Sequence, residues 1–212
     1  SEADVQALFY ERLRRIETLN MLFDTGCTLG LNQYGEESDK RYQTYAIHRE
    51  YGLNNEKSNR IDIAIFNPDH LQWIVDPLNL KDKNGTYLTP DYIFEFGTDK
   101  SAMSKGALEN HLKNDIEKLR YANKMGYLIH IQRNYLKGKE NQANIDKHDN
   151  YLQALNELDL TGISNVKVLY FKVDVGGPKR LLMRSGKIKM YTGSKMKAIA
   201  QDRVEEEIRE RL

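Results

Sequence analysis

The chain has 212 residues, of which 40% are hydrophobic and 30% charged, with a net charge of +1. That supplies apolar material for a core and a well solvated surface, while the net charge alone points to no class of partner. The single cysteine, Cys27, excludes an internal disulfide, and no apolar run approaches the roughly 20 residues of a membrane span.

In chain order, residues 3–20 read as an amphipathic helix. Val5, Leu8, Phe9, Leu13, Ile16 and Leu19 fall at helical spacing, with Glu11, Arg12, Arg14 and Arg15 opposite. Residues 21–40 lack periodicity and contain Gly26, Gly30 and Gly35, which predicts a loop. Residues 43–52 alternate as a strand, and 60–66 form another, ended by Asn67-Pro68. A short strand is expected at 73–75, and an exposed hairpin or turn around Asn84-Gly85. Tyr92 to Phe96 is the most apolar strand. A helix over 104–125 turns Leu108, Leu112, Ile116 and Leu119 inward, and residues 126–131 form a strand.

Residues 137–149 read as loop, 150–158 as a short helix and 166–175 as a strand. A hairpin around Ser185-Gly186 and a charged helix over 194–212 complete the chain. No segment repeats and no linker divides it. One α/β domain over 1–212 is expected, with a core at about 3–175 and a basic extension at about 176–212.

Two of the strands carry one acid each inside an apolar run: Asp62 in Arg60-Ile61-Asp62-Ile63-Ala64-Ile65-Phe66, and Glu95 in Tyr92-Ile93-Phe94-Glu95-Phe96-Gly97. An unpaired charge in such a setting costs several kcal/mol or shifts its pKa. Side by side on neighbouring strands, two carboxylates would need a cation, and hard divalent ions take oxygen ligands. Glu50, near the end of the preceding strand, is placed for a hairpin to return it towards Asp62. The structural alternatives stay open: Asp62 paired with Arg60, and Glu95 salt-bridged to Lys118.

These residues and this order of elements resemble the PD-(D/E)xK nuclease superfamily over roughly residues 3–132. The resemblance implies a restriction-endonuclease-like mixed sheet flanked by helices. It also implies Mg²⁺, with Mn²⁺ substituting, held by Asp62 and Glu95 with Glu50 as an auxiliary acid. It implies phosphodiester hydrolysis, in DNA by preference, of a restriction, defence or repair type.

The motif lysine position is Gly97, which leaves room for a long side chain from elsewhere. Lys118, three residues after Asp115 on the following helix, is the first candidate for the displaced lysine, and Lys100 the second. The alternative is a nuclease-like module that binds without cutting, or a subunit needing a partner.

Between Lys167 and Lys197 nine bases face one acid, Asp174. Lys179, Arg180, Arg184, Lys187 and Lys189 are the candidate nucleic-acid contacts in that stretch, against the plainer reading of a solvated hairpin. Cutting both strands of a duplex would favour a homodimer. The absence of a basic N-terminal leader and of disulfides leads to a cytoplasmic expectation.

Overall fold

The computed structural model describes residues 2–28, 30, 40–53, 60–98, 105–136, 150, 153, 154, 157, 163–176, 183–192 and 195–198. The fold is α/β with a mixed sheet. The chain divides into two compact units, Ala3–Phe94 with Tyr121–Lys124, and Ser1–Glu2 with Glu95–Arg120 and Met125–Leu212.

The first unit begins at Ala3, within α1 (Glu2–Leu13), and continues with a 3-10 turn at Glu17–Asn20. Strands β1 (Leu22–Thr28) and β2 (Arg41–Tyr45) pair antiparallel. Strand β3 (Ile47–Gly52) pairs antiparallel with β4 (Arg60–Ile65), Ile47 opposite Ile65 and Tyr51 opposite Ile61. Helix α2 (Pro68–Leu71) starts where Asn67-Pro68 ends the strand, and the Asn67 side chain caps it by accepting from the Asp69 amide.

Strands β5 (Ile74–Asp76) and β6 (Lys81–Asp82) pair antiparallel. The turn at Asn84-Gly85 forms as expected, with Gly85 at φ 75°. Strand β7 spans Tyr92–Thr98, and Ile63 of β4 stands opposite Phe94. Ile61, Ile63, Ile65, Phe66, Leu71, Ile74 and Ile93 are fully buried here. Phe9 of α1 packs on Phe94 with ring centroids 5.3 Å apart.

The chain passes into the second unit within β7. This unit holds helix α3 (Lys105–Leu119) and strands β8 (Met125–Leu136), β9 (Val166–Gly176), β10 (Met183–Thr192) and β11 (Lys195–Ala198). The strands run in the order β7-β8-β9-β10-β11. β8 and β9 are parallel, from Gly126 opposite Val166 onwards, while β9–β10 and β10–β11 are antiparallel.

Residues Tyr92 to Phe96 and Tyr127 to His130 are buried without a break, the pattern of strands covered on both faces. Helix α3 buries Leu112, Ile116 and Leu119 of its predicted stripe, while Leu108 is half-buried and the helix ends at Leu119 rather than at 125. A β-carbon on Gly126 would lie 2.6 Å from the Leu119 carbonyl oxygen, so glycine lets α3 hand over to β8 at close range.

Several expectations are corrected. The first helix stops at Leu13, before the 3-10 turn. Residues 22–28 are a strand and not a loop; Thr25 alone of them is buried, so no apolar alternation marks it. The single strand over 43–52 is two, β2 and β3, broken at Ala46. The region around Ser185-Gly186 is a register shift inside β10 rather than a hairpin turn. Residues 195–198 are strand and not helix. The loop expected at 137–149 and most of the helix expected at 150–158 lie outside the described residues. Among the described residues no helix is long and apolar enough to cross a membrane.

Candidate functional site

The second unit carries a buried polar cluster. Glu95 comes from β7, where its neighbours are apolar and its residue is 3% exposed. Lys118 reaches it from the last turn of α3, with Nζ donating to Glu95 Oε2 at 2.8 Å. The same ammonium lies 3.2 Å from Asp115 Oδ1, and Asp115 is also 3% exposed. His111 Nε2 lies 3.3 Å from Asp115 Oδ2. Positions 111, 115 and 118 are successive neighbours on one helix face, which is why three polar side chains gather there. The cluster opens outward through Lys118 and His111, whose side chains are 17% and 30% exposed.

Burial alone would lower the Lys118 pKa, but the Glu95 and Asp115 carboxylates outweigh it and hold the group above its usual value. Lys118 is therefore an ammonium throughout the neutral range. It can orient a group or neutralise negative charge, but it does not serve as a base there.

Gly97 follows Glu95 by two residues, on the same face of β7. The space beside it is filled: a β-carbon on Gly97 would meet His130 Nδ1 at 2.6 Å. His130 sits on β8 and is 6% exposed. The room expected at Gly97 for a long side chain is thus taken by an imidazole.

Asp62 and Glu50 lie in the first unit. Asp62 is half-buried on β4. Arg49 stands opposite Ile63 and Tyr51 opposite Ile61, so Glu50 lies between the two paired positions on β3 and Asp62 between them on β4. Glu50 has a left-handed backbone, φ 52°. It lines a cavity of about 330 Å³ with Arg49, Arg60, Leu80 and Tyr87, to which Asp62 does not contribute.

Lys100, Lys179 and Arg180 lie outside the described residues. Arg184, Lys187 and Lys189 stand on β10 opposite Asp174, Lys172 and Tyr170. Lys167, counted in the basic stretch, is buried on β9. Sequence reasoning missed His111 and His130. The first is signalled by its spacing from Asp115 and Lys118; the second has no local signal.

Among the described residues no three His, Cys, Asp or Glu side chains converge as a metal-holding group. Comparison with family models, curated proteins and solved structures gives no match.

Proposed function

We propose that this chain is a metal-dependent nuclease with a restriction-endonuclease-like fold, acting by preference on DNA. The observation that carries the reading is the buried Glu95 carboxylate on β7, met by Lys118 from the following helix. This is the arrangement implied when the motif lysine is displaced from position 97.

Carboxylate oxygens fit Mg²⁺ or Mn²⁺, and Mg²⁺ typically needs only one or two of them beside water and phosphate. Glu95 and Asp62 would hold the ion, with Glu50 auxiliary; Asp62 and Glu50 enter from the motif alone. Bound there, the ion would supply an activated water and neutralise phosphate charge. Lys118 contributes a fixed positive charge, held on its helix face by Asp115, which His111 meets in turn. The apolar surround of Glu95 excludes bulk water, which strengthens these electrostatic effects.

A second reading, a binding module that does not cut, is favoured by one observation. Lys118 already neutralises Glu95, so the pair is self-sufficient as a structural ion pair.

The test is cleavage of single- and double-stranded DNA and RNA with Mg²⁺, Mn²⁺ or EDTA, by wild type and Asp62→Ala. Metal-dependent cleavage that vanishes in the variant supports the nuclease. Salt-sensitive binding without cleavage by the wild type supports the binding module.

A further inference from the structure

In the first unit, Arg14 and Arg49 are held by aromatic rings rather than by acids. The Arg14 amide donates to the Tyr10 carbonyl at 3.0 Å, which sets the two residues one helical turn apart at the end of α1. The Arg14 guanidinium carbon stands 4.5 Å from the Tyr45 ring centroid and 6.0 Å from that of Tyr10. Arg49, on β3, stands 5.8 Å from the same Tyr10 ring. Nε and Nη2 of Arg14 both donate to Asn20 Oδ1, at 3.1 and 2.7 Å, which fixes the direction of that guanidinium.

Among the described residues no carboxylate forms a salt bridge with either arginine, and the exposed Arg49 side chain makes no hydrogen bond. Two guanidiniums thus share one ring without a counter-ion. A guanidinium laid on a ring keeps its edge donors, and their fork matches the oxygens of a phosphate.

Arg49 also lines the cavity of about 330 Å³ described above. That size falls in the range of ligand pockets. Its lining charges are Arg49 and Arg60 against Glu50. Among the described residues, the two non-glycine positions with left-handed backbone are Glu50, at φ 52°, and Leu80, at φ 51°, and both line this cavity. Strain of this kind collects at ligand clamps.

We propose that this face of the first unit binds single-stranded nucleic acid, with backbone phosphates on Arg14 and Arg49 and an unpaired base in the adjoining cavity. Guanidinium and tyrosine side by side suit a chain in which phosphates and bases alternate. A duplex keeps its bases stacked inside and leaves the cavity unfilled. The proposal deepens the nuclease reading by naming the form of strand held, and it does not depend on cutting.

The experiment measures fluorescence anisotropy in EDTA over a salt series, with an end-labelled oligothymidylate and a duplex of the same length. It compares wild type, Arg49→Gln, Arg14→Gln, the double variant and Gly52→Phe, with thermal unfolding alongside. Arg49→Gln alters an exposed side chain without hydrogen bonds, so it decides the matter even where Arg14→Gln unfolds. Gly52 lines the cavity, and a β-carbon there meets no atom within 4 Å, so its phenylalanine has room to enter.

Wild type should bind the single strand more tightly than the duplex. Arg49→Gln should reduce the slope of log binding constant against log salt for the single strand by about 0.7, and the double variant by about twice that. Gly52→Phe should lower single-strand affinity to that for duplex and leave the slope unchanged. An unaltered slope in folded Arg49→Gln overturns the proposal, as does a wild type that binds the duplex equally well or binds neither. Displacement of the strand by equimolar thymidine monophosphate overturns it too, because the ligand is then a free nucleotide. Cleavage with Mg²⁺ is scored separately on the same proteins. A failed binding test leaves the nuclease reading standing, and a wild type that binds but cuts nothing overturns that reading alone.

Discussion

Lys118 Nζ stands 2.8 Å from Glu95 Oε2, joining a helix to a strand through a pair whose two members are unequally buried. The glutamate side chain is 4% exposed and the lysine 17%. Removing the lysine strands a carboxylate with little water, a change that costs about 3–5 kcal/mol for buried pairs. Removing the glutamate charge leaves an ammonium that can still reach Asp115 and solvent. Lys118→Ala should therefore destabilise more than Glu95→Gln, as read by urea unfolding at neutral pH. Equal losses would contradict the asymmetry. The Lys118 pKa is raised in the folded state, so its contribution is complete below the unfolded lysine value, about 10.4. It fades as pH rises through the folded value, and the difference between wild type and Lys118→Ala should narrow at the alkaline end.

His48 carries a pH dependence of opposite sense. Burial lowers its pKa, only partly offset by the hydrogen bond of Nε2 to the Tyr45 carbonyl at 2.9 Å. The unfolded chain then binds a proton that the folded chain resists, so stability is full above about 6.5 and declines as pH falls below it. Thermal melts from neutral to mildly acidic pH should show this decline, and His48→Gln should flatten it. An unchanged slope in the variant would assign the acid sensitivity elsewhere.

Glu50 holds φ at 52°, a left-handed conformation in which a β-carbon is strained by about 1–2 kcal/mol. Glu50→Gly should relieve that strain and raise the unfolding midpoint, despite the greater flexibility glycine gives the unfolded chain. Glu50→Val should lower it. If Glu50 is the auxiliary acid, Glu50→Gly should also weaken metal-dependent cleavage, separating a gain in stability from a loss of activity.

Lys187 and Lys189 alternate on β10, past the register shift that follows Arg184. If both contact phosphate, the double variant Lys187→Ala/Lys189→Ala should reduce the slope of log binding constant against log salt by about 2 for duplex DNA. Fluorescence anisotropy over a salt series measures it. An unaltered slope would leave these lysines as solvated surface.

The sequence made legible those parts of the fold that physical chemistry writes locally. Strands β4, β7 and β8 stand out because they are buried apolar runs, and α3 because its leucines recur with helical period. The reach of Lys118 to Glu95 was also legible, as both the displaced-lysine reading and the plain ion pair required it. Strand β1 was hidden because it buries only Thr25, β10 because Ser185-Gly186 inside it reads as a turn, and β11 because its four residues also fit the start of a charged helix. His130 was hidden for a different reason. Its relation to Gly97 exists only once strands 33 positions apart in sequence (130 minus 97) come together, and a glycine announces that something is near without saying what.

Tyr121–Lys124 belongs to the first compact unit although it follows α3. Within those four residues, the Asn123 amide donates to the Pro90 carbonyl and the Lys124 amide to that of Asp91, each at 2.9 Å. Lys124 Nζ also pairs with Asp91 Oδ2 at 2.9 Å. A protease cut or a stop codon just after Phe94 would therefore yield a fragment with an unclosed end at Pro90-Asp91, its fastener left on the discarded piece. Dissecting this protein for production in parts calls for rewiring the order of the chain, with 121–124 tethered back to the first segment, rather than for a single scission.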